Sequence, residues 1–247
     1  MGCGGSKAED PAAAPPSSGL PPTSQKQTDG GFVAFLSHFK MEAATEARWL
    51  KRELEERLDA RCFLDSDDLL DLSKLRDHVR ESKCVLMLQT RSVLSRPWCL
   101  VELLTAVDSG VPIIGVSITS GTTPYDYDVA AGFLAHLDTT LGADAKTKVS
   151  ALGIDLTDAA FKLSNTLPSM ISVQLNMNES RGVLSARVDD IIAAIAKAGL
   201  PTLPDKATWL ASRGSKPKTP THGWSGSGGG GARAAGAHAP PAAIPSE

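Results

Sequence analysis

Aromatic residues are scarce, 5% of 247, and no run of Lys or Arg is interleaved with them, so the usual footprint of a nucleic-acid surface is missing. A formal net charge of -3 and a pI near 6.0 agree with that, and nucleic acid is not an expected partner. Cysteines stand only at 3, 62, 84 and 99, without a CxxC pair or a matching histidine cluster. That excludes the common zinc arrangements, leaves no expected metal, and fits free thiols in a reducing compartment. No apolar run approaches the length of a membrane span, and the first residues lack the apolar stretch of a signal peptide. The chain is therefore expected to stay in the cytosol. Phosphate loops of the GxxxxGK[ST] kind, dinucleotide glycine fingerprints and serine elbows are also absent, which removes the commonest nucleotide-binding and acyl-transfer signatures.

What is present divides into three. Residues 1–31 are expected to be an acylated, disordered tether, 32–200 a single domain, and 201–247 a disordered Gly/Ala/Pro-rich tail, because apolar periodicity starts at Phe32 and stops near Leu200. Met1-Gly2-Cys3-Gly4-Gly5-Ser6 fits the myristoylation pattern at Gly2, with Cys3 beside it for palmitoylation. One acyl chain binds a membrane only marginally and two hold it, so the pattern places the protein on the cytoplasmic face of a membrane.

Within the domain, Phe32–Leu36, Arg61–Leu64, Cys84–Leu88 and Val111–Ile118 are short apolar runs, with Met170–Val173 a fifth, and helical spacing lies between them. Alternation of that kind predicts a parallel sheet with helices on both faces. At this size the five-stranded, flavodoxin-like order 2-1-3-4-5 is expected, with its switch point between the first and third strands. Ser37–Lys40 and Gln89–Glu102 then face each other across one crevice. Ser95-Arg96-Pro97 reads as a helix start with Ser95 as cap. On that helix Trp98 and Glu102 are four apart, off the apolar stripe of Leu100, Leu103, Leu104 and Val107. A second feature is the acidic loop Asp65–Leu72. It lacks the glycine and terminal glutamate of a calcium loop, while Leu69, Leu70 and Leu72 are more apolar than a solvated loop favours and mark a partner surface.

Phe35-Leu36-Ser37-His38-Phe39, Phe63-Leu64-Asp65 with its loop, and above all Ser95-Arg96-Pro97-Trp98-Cys99-Leu100-Val101-Glu102-Leu103 resemble the three boxes of a Toll/interleukin-receptor (TIR) domain. Phe39 stands where many members carry arginine, and Lys40 follows it. The resemblance implies two modes of action. In one, the domain scaffolds signalling by assembling with other TIR domains, itself included, through the acidic loop. In the other, it hydrolyses NAD to nicotinamide and an ADP-ribose product, with Glu102 catalytic and Ser37, Lys40 and Trp98 lining the pocket. NAD is then a substrate, and no cofactor is implied. The sequence leaves both modes open.

Overall fold

Val85–Gln89 forms a strand whose every side chain is buried, as an unbroken apolar run in a covered parallel sheet should be. The structure, a computed structural model, describes residues 1–2, 31–64, 74–121, 124–199 and 203–213. Strands β1 (Ala34–Ser37), β2 (Cys62–Leu64), β3 (Val85–Gln89), β4 (Ile113–Ile118) and β5 (Val173–Leu175) make one sheet in the order β2-β1-β3-β4-β5. All neighbouring pairs are parallel. The expected topology is therefore the observed one, and the chain has a flavodoxin-like α/β fold.

One face of the sheet is covered by α1 (Lys40–Leu58) and α8 (Arg181–Lys197). Ala43, Ala47, Leu50 and Leu54 are the buried stripe of α1, at the helical spacing legible in the sequence. Arg57 of α1 reaches Asp189 of α8 at 2.8 Å and Glu53 at 3.3 Å, so two of its neighbours are held by one guanidinium. Trp49 packs half-buried on this face.

The other face carries α2 (Leu75–Arg80), α3 (Pro97–Ser109), α4 (Tyr127–Ala135), the short α5 (Leu137–Thr140), α6 (Ala143–Ala151) and α7 (Leu156–Thr166). Leu75 and Val79 point inward on α2. Helix α3 is buried from Cys99 to Ala106 without interruption, so it runs through the protein rather than along its surface. It ends at Gly110, whose left-handed φ of 70° lets its N–H reach back to the last carbonyls. Among the described residues, Cys62, Cys84 and Cys99 are buried free thiols. Burial pushes the thiols of Cys62 and Cys84 up to about 12, which keeps them protonated and inert.

Three expectations need correction. Arg96, not Ser95, is the residue before the first helical position of α3, and Ser95 Oγ donates instead to Ser92 O at 2.7 Å. Pro97 occupies the first turn as expected. Strand β5 begins only at Val173, the last residue of the run Met170–Val173, because Ile171 is exposed while Leu175 is the residue that enters the core. Finally, Lys206–Arg213 is helical (α9) where a disordered tail was expected. Trp209 meets Phe161 edge-on at 5.3 Å between centroids. Arg213 bonds Asp138 at 2.7 Å, and Lys206 bonds Asp158, which also holds Lys162. These two cations keep the Asp158 carboxyl below its usual range. A fragment of residues 31–204 lacks all of these contacts. It is expected to melt several degrees below a fragment of residues 31–213 in a thermal scan, at ~2–4 °C per kcal/mol lost for a domain of this size; equal midpoints would show that α9 adds nothing.

Candidate functional site

Because β1 lies between β2 and β3 while the chain passes on to β4 from β3, the crevice at the switch point opens past the carboxyl ends of β1 and β3. Ser37 closes β1, in register with Met87 of β3. Its Oγ donates to Glu102 Oε2 at 2.5 Å, and both residues are buried, Ser37 fully and Glu102 with 2% exposure. The two side chains expected to share a site thus touch, across a sequence separation of 65. Glu102 lies off the apolar stripe of its helix and on the side of the crevice, as the sequence implied, and the structure adds that it is buried. Helix α3 is enclosed, so its non-stripe positions face the turn after β1 instead of water.

Three further contacts stitch the same two segments. Cys99 Sγ donates to His38 O at 3.3 Å. The Arg96 guanidinium lies over the Phe39 ring, 3.6 Å from its centroid, a stacking geometry in which a cation is attracted to the ring face. Ser92 N–H donates to Glu42 Oε2 at 3.0 Å. The aromatic at 39 thus anchors a cation supplied by another loop. The contact between Phe39 and Arg96 was not expected from sequence, since nothing in their local pattern links residues 57 positions apart; the available signal was their place in facing loops of the expected topology.

The remaining sequence candidates are placed differently. Lys40 is exposed at the first turn of α1. Trp98 is half-buried against the core beneath α3 and serves there as packing. Gly2 is exposed, with open space around it. Cys3 and the interface candidates Leu69, Leu70 and Leu72 lie outside the described residues.

A carboxylate with 2% exposure is costly unless it is hydrogen-bonded. Ser37 supplies one such bond here, and in a water-poor setting the field of the carboxylate on a nearby positive charge is strengthened. Residues 34–152, which contain this crevice entire, match the family model described as TIR domain. The chain carries a TIR domain. Among solved structures, the TIR domains of the activated Roq1 resistosome, which directly recognises the pathogen effector XopQ, are similar to it in structure. That similarity has 20% identity, a TM-score of 0.46, and coverage of 67% of this chain and 99% of that one. No curated protein matches the chain.

Proposed function

We propose that this TIR domain cleaves the bond between nicotinamide and ribose in NAD, with Glu102 as the catalytic carboxylate. The observation that carries the reading is the buried Ser37–Glu102 pair at the switch-point crevice. Nicotinamide leaves as a neutral ring and needs no general acid. The ribose left behind becomes oxocarbenium-like, and a fixed carboxylate facing it stabilises the growing positive charge. Ser37 orients that carboxylate, and its hydroxyl is close enough to exchange its partner for a ribose hydroxyl. Lys40, exposed at the rim, is left to contact phosphate, and Trp98 to wall the pocket. Purified protein incubated with NAD, followed by measurement of free nicotinamide, tests the reading; no turnover even when the protein is clustered on vesicles would refute it.

The second reading is a TIR scaffold that binds other TIR domains without chemistry, and the near-complete burial of Glu102 favours it. Cleavage requires the pair to part and admit ribose. In the enzymatic reading that event is assembly of several copies, with Leu69, Leu70 and Leu72 at the contact, and confinement to a membrane surface raises their effective concentration. The anchor in this reading is a myristoyl at Gly2 and a palmitoyl at Cys3, on the cytoplasmic face. In cell fractionation Gly2→Ala is expected in the soluble fraction and Cys3→Ser to be held only weakly, since a lone myristoyl binds with K of about 10⁴ M⁻¹. Equal membrane recovery of both variants and the parent would overturn the anchor.

A further inference from the structure

A cavity of about 430 Å³ lies at the opposite end of the sheet from the Glu102 crevice, where α3 ends and β4 begins. Val107, Val111, Ile113, Met170 and Leu203 supply apolar walls, and among the described residues no charged side chain lines it. Its two hydroxyls are spent on backbone, since Thr166 Oγ1 donates to Lys162 O at 2.8 Å and Ser169 Oγ to Thr166 O at 3.0 Å. Such a lining suits an apolar occupant and offers little to fix a ligand by a polar edge. The residue after Met170, Ile171, is 96% exposed, so apolar surface next to the lining is left uncovered. A methylene takes up about the room of a water molecule, ~30 Å³ in the liquid, so the cavity holds on the order of fourteen carbons. That is the length of a myristoyl chain.

We propose that this cavity binds the myristoyl group of the chain's own N-terminus and so holds the anchor off the membrane. The inference rests on the reading of Gly2 as the acylated residue. Position supports it. Phe35, Val85 and Ile113 stand side by side across β1, β3 and β4. Neighbouring strands lie ~4.8 Å apart, so the cavity is ~10 Å across the sheet from the start of β1. The chain enters β1 at that same end, where Phe32 bonds Glu81 O through its N–H and Lys83 N–H through its carbonyl. A linker with the length and composition of residues 3–30 has an r.m.s. span of ~30 Å, enough to bring Gly2 to the cavity. It presents the acyl chain there at an effective concentration of ~1 mM. A cavity with an intrinsic Kd of ~0.1 mM is then filled about ten to one, and the fraction left for the bilayer falls about tenfold. A lone myristoyl binds a membrane with K of only about 10⁴ M⁻¹, so a contest on this scale decides where the protein sits. A palmitoyl at Cys3 adds a second chain for which the cavity has no room, and tips the balance to the membrane.

Sodium myristate titrated below its micelle concentration into the unacylated full chain, with binding followed by NMR shifts of Val111, Ile113 and Met170, tests the site by itself. Saturable binding is expected, with octanoate at least about tenfold weaker because it buries fewer methylenes. A side chain added at Gly199, which lines the cavity, meets no atom within 4 Å at its first carbon, so Gly199→Trp fills the space without strain. This variant should melt like the parent and lose myristate binding. Ser169→Trp, at an exposed position on the same rim, should act alike and guards against a folding fault in the first. The myristoylated chain carrying Cys3→Ser is then sedimented with phosphatidylcholine vesicles, with and without Gly199→Trp. Blocking the cavity should raise vesicle binding about tenfold, while the unacylated variant stays in solution, which separates the anchor from the new tryptophan. Myristate binding that survives both variants, or that leaves the lining residues unshifted, would overturn the proposal, as would equal vesicle binding. Saturable myristate binding in a chain whose intact mass shows Gly2 unmodified in the cell would refute the anchor while supporting the acyl site. An acylated chain whose unacylated form ignores myristate would keep the anchor and overturn the site.

Discussion

Glu102→Gln is expected to lower nicotinamide release by about 100- to 1,000-fold, the usual cost of removing one group that stabilises transition-state charge. Glutamine has nearly the shape of glutamate and still offers Ser37 an oxygen, so the 2.5 Å contact survives as a neutral hydrogen bond. The folded domain should not suffer, and removing a buried charge with 2% exposure lightens a desolvation burden. An unchanged or raised melting temperature together with lost turnover identifies a charge needed in the transition state. If turnover falls only in proportion to a lowered melting temperature, Glu102 holds the fold and the scaffold reading gains. Ser37→Ala provides the intermediate case. It removes the hydroxyl that orients the carboxylate, so its loss should be smaller than that of Glu102→Gln.

The largest stability effect is expected at Phe63. This ring is 1% exposed on the three-residue edge strand β2. It stacks on Phe35 at 5.0 Å and on His78 at 4.3 Å, and meets Phe32 edge-on at 5.2 Å. Phe63→Ala removes the ring that all three share and leaves a cavity between sheet and α2. Such a change costs ~3–5 kcal/mol, out of a total that is typically ~5–15 kcal/mol. Urea titration should show the midpoint falling at constant slope; a loss below about 1 kcal/mol would mean that the edge of the sheet repacks around the gap. The functional consequence follows from position. The chain leaving β2 after Leu64 enters the acidic segment, so a loosened β2 also loosens the anchor of the candidate contact.

Much of the fold was legible because parallel strands buried on both faces have to be apolar throughout. Val85–Leu88 could hardly be anything else, and the stripe Ala43, Ala47, Leu50, Leu54 fixed α1 by spacing alone. Legibility failed where burial was partial. Helix α6 was missed because Ala145 and Val149 are its only buried side chains, too few to give a period. Helix α9 was missed for a stronger reason: none of its residues is buried, and it is held by Trp209 on Phe161 and by ion pairs to α5 and α7, partners that no local pattern announces. The displaced start of β5 is a third case, since an apolar Ile171 left exposed looks in sequence like any strand residue.

The same division runs through the site. The sequence alone determined that a carboxylate four residues after a tryptophan stands on the helix after a central strand, and that strand alternation brings the turn after β1 opposite it. Those are consequences of periodicity and of the handedness of βαβ crossovers, which hold whatever the partners are. Only the tertiary structure decided that Glu102 is buried against Ser37 and that Phe39 carries Arg96. A side chain's direction on a helix acquires meaning only once the helix is enclosed on every side. That enclosure is made by β1, β3 and the helices packed beside α3, which come from stretches of chain far apart in sequence.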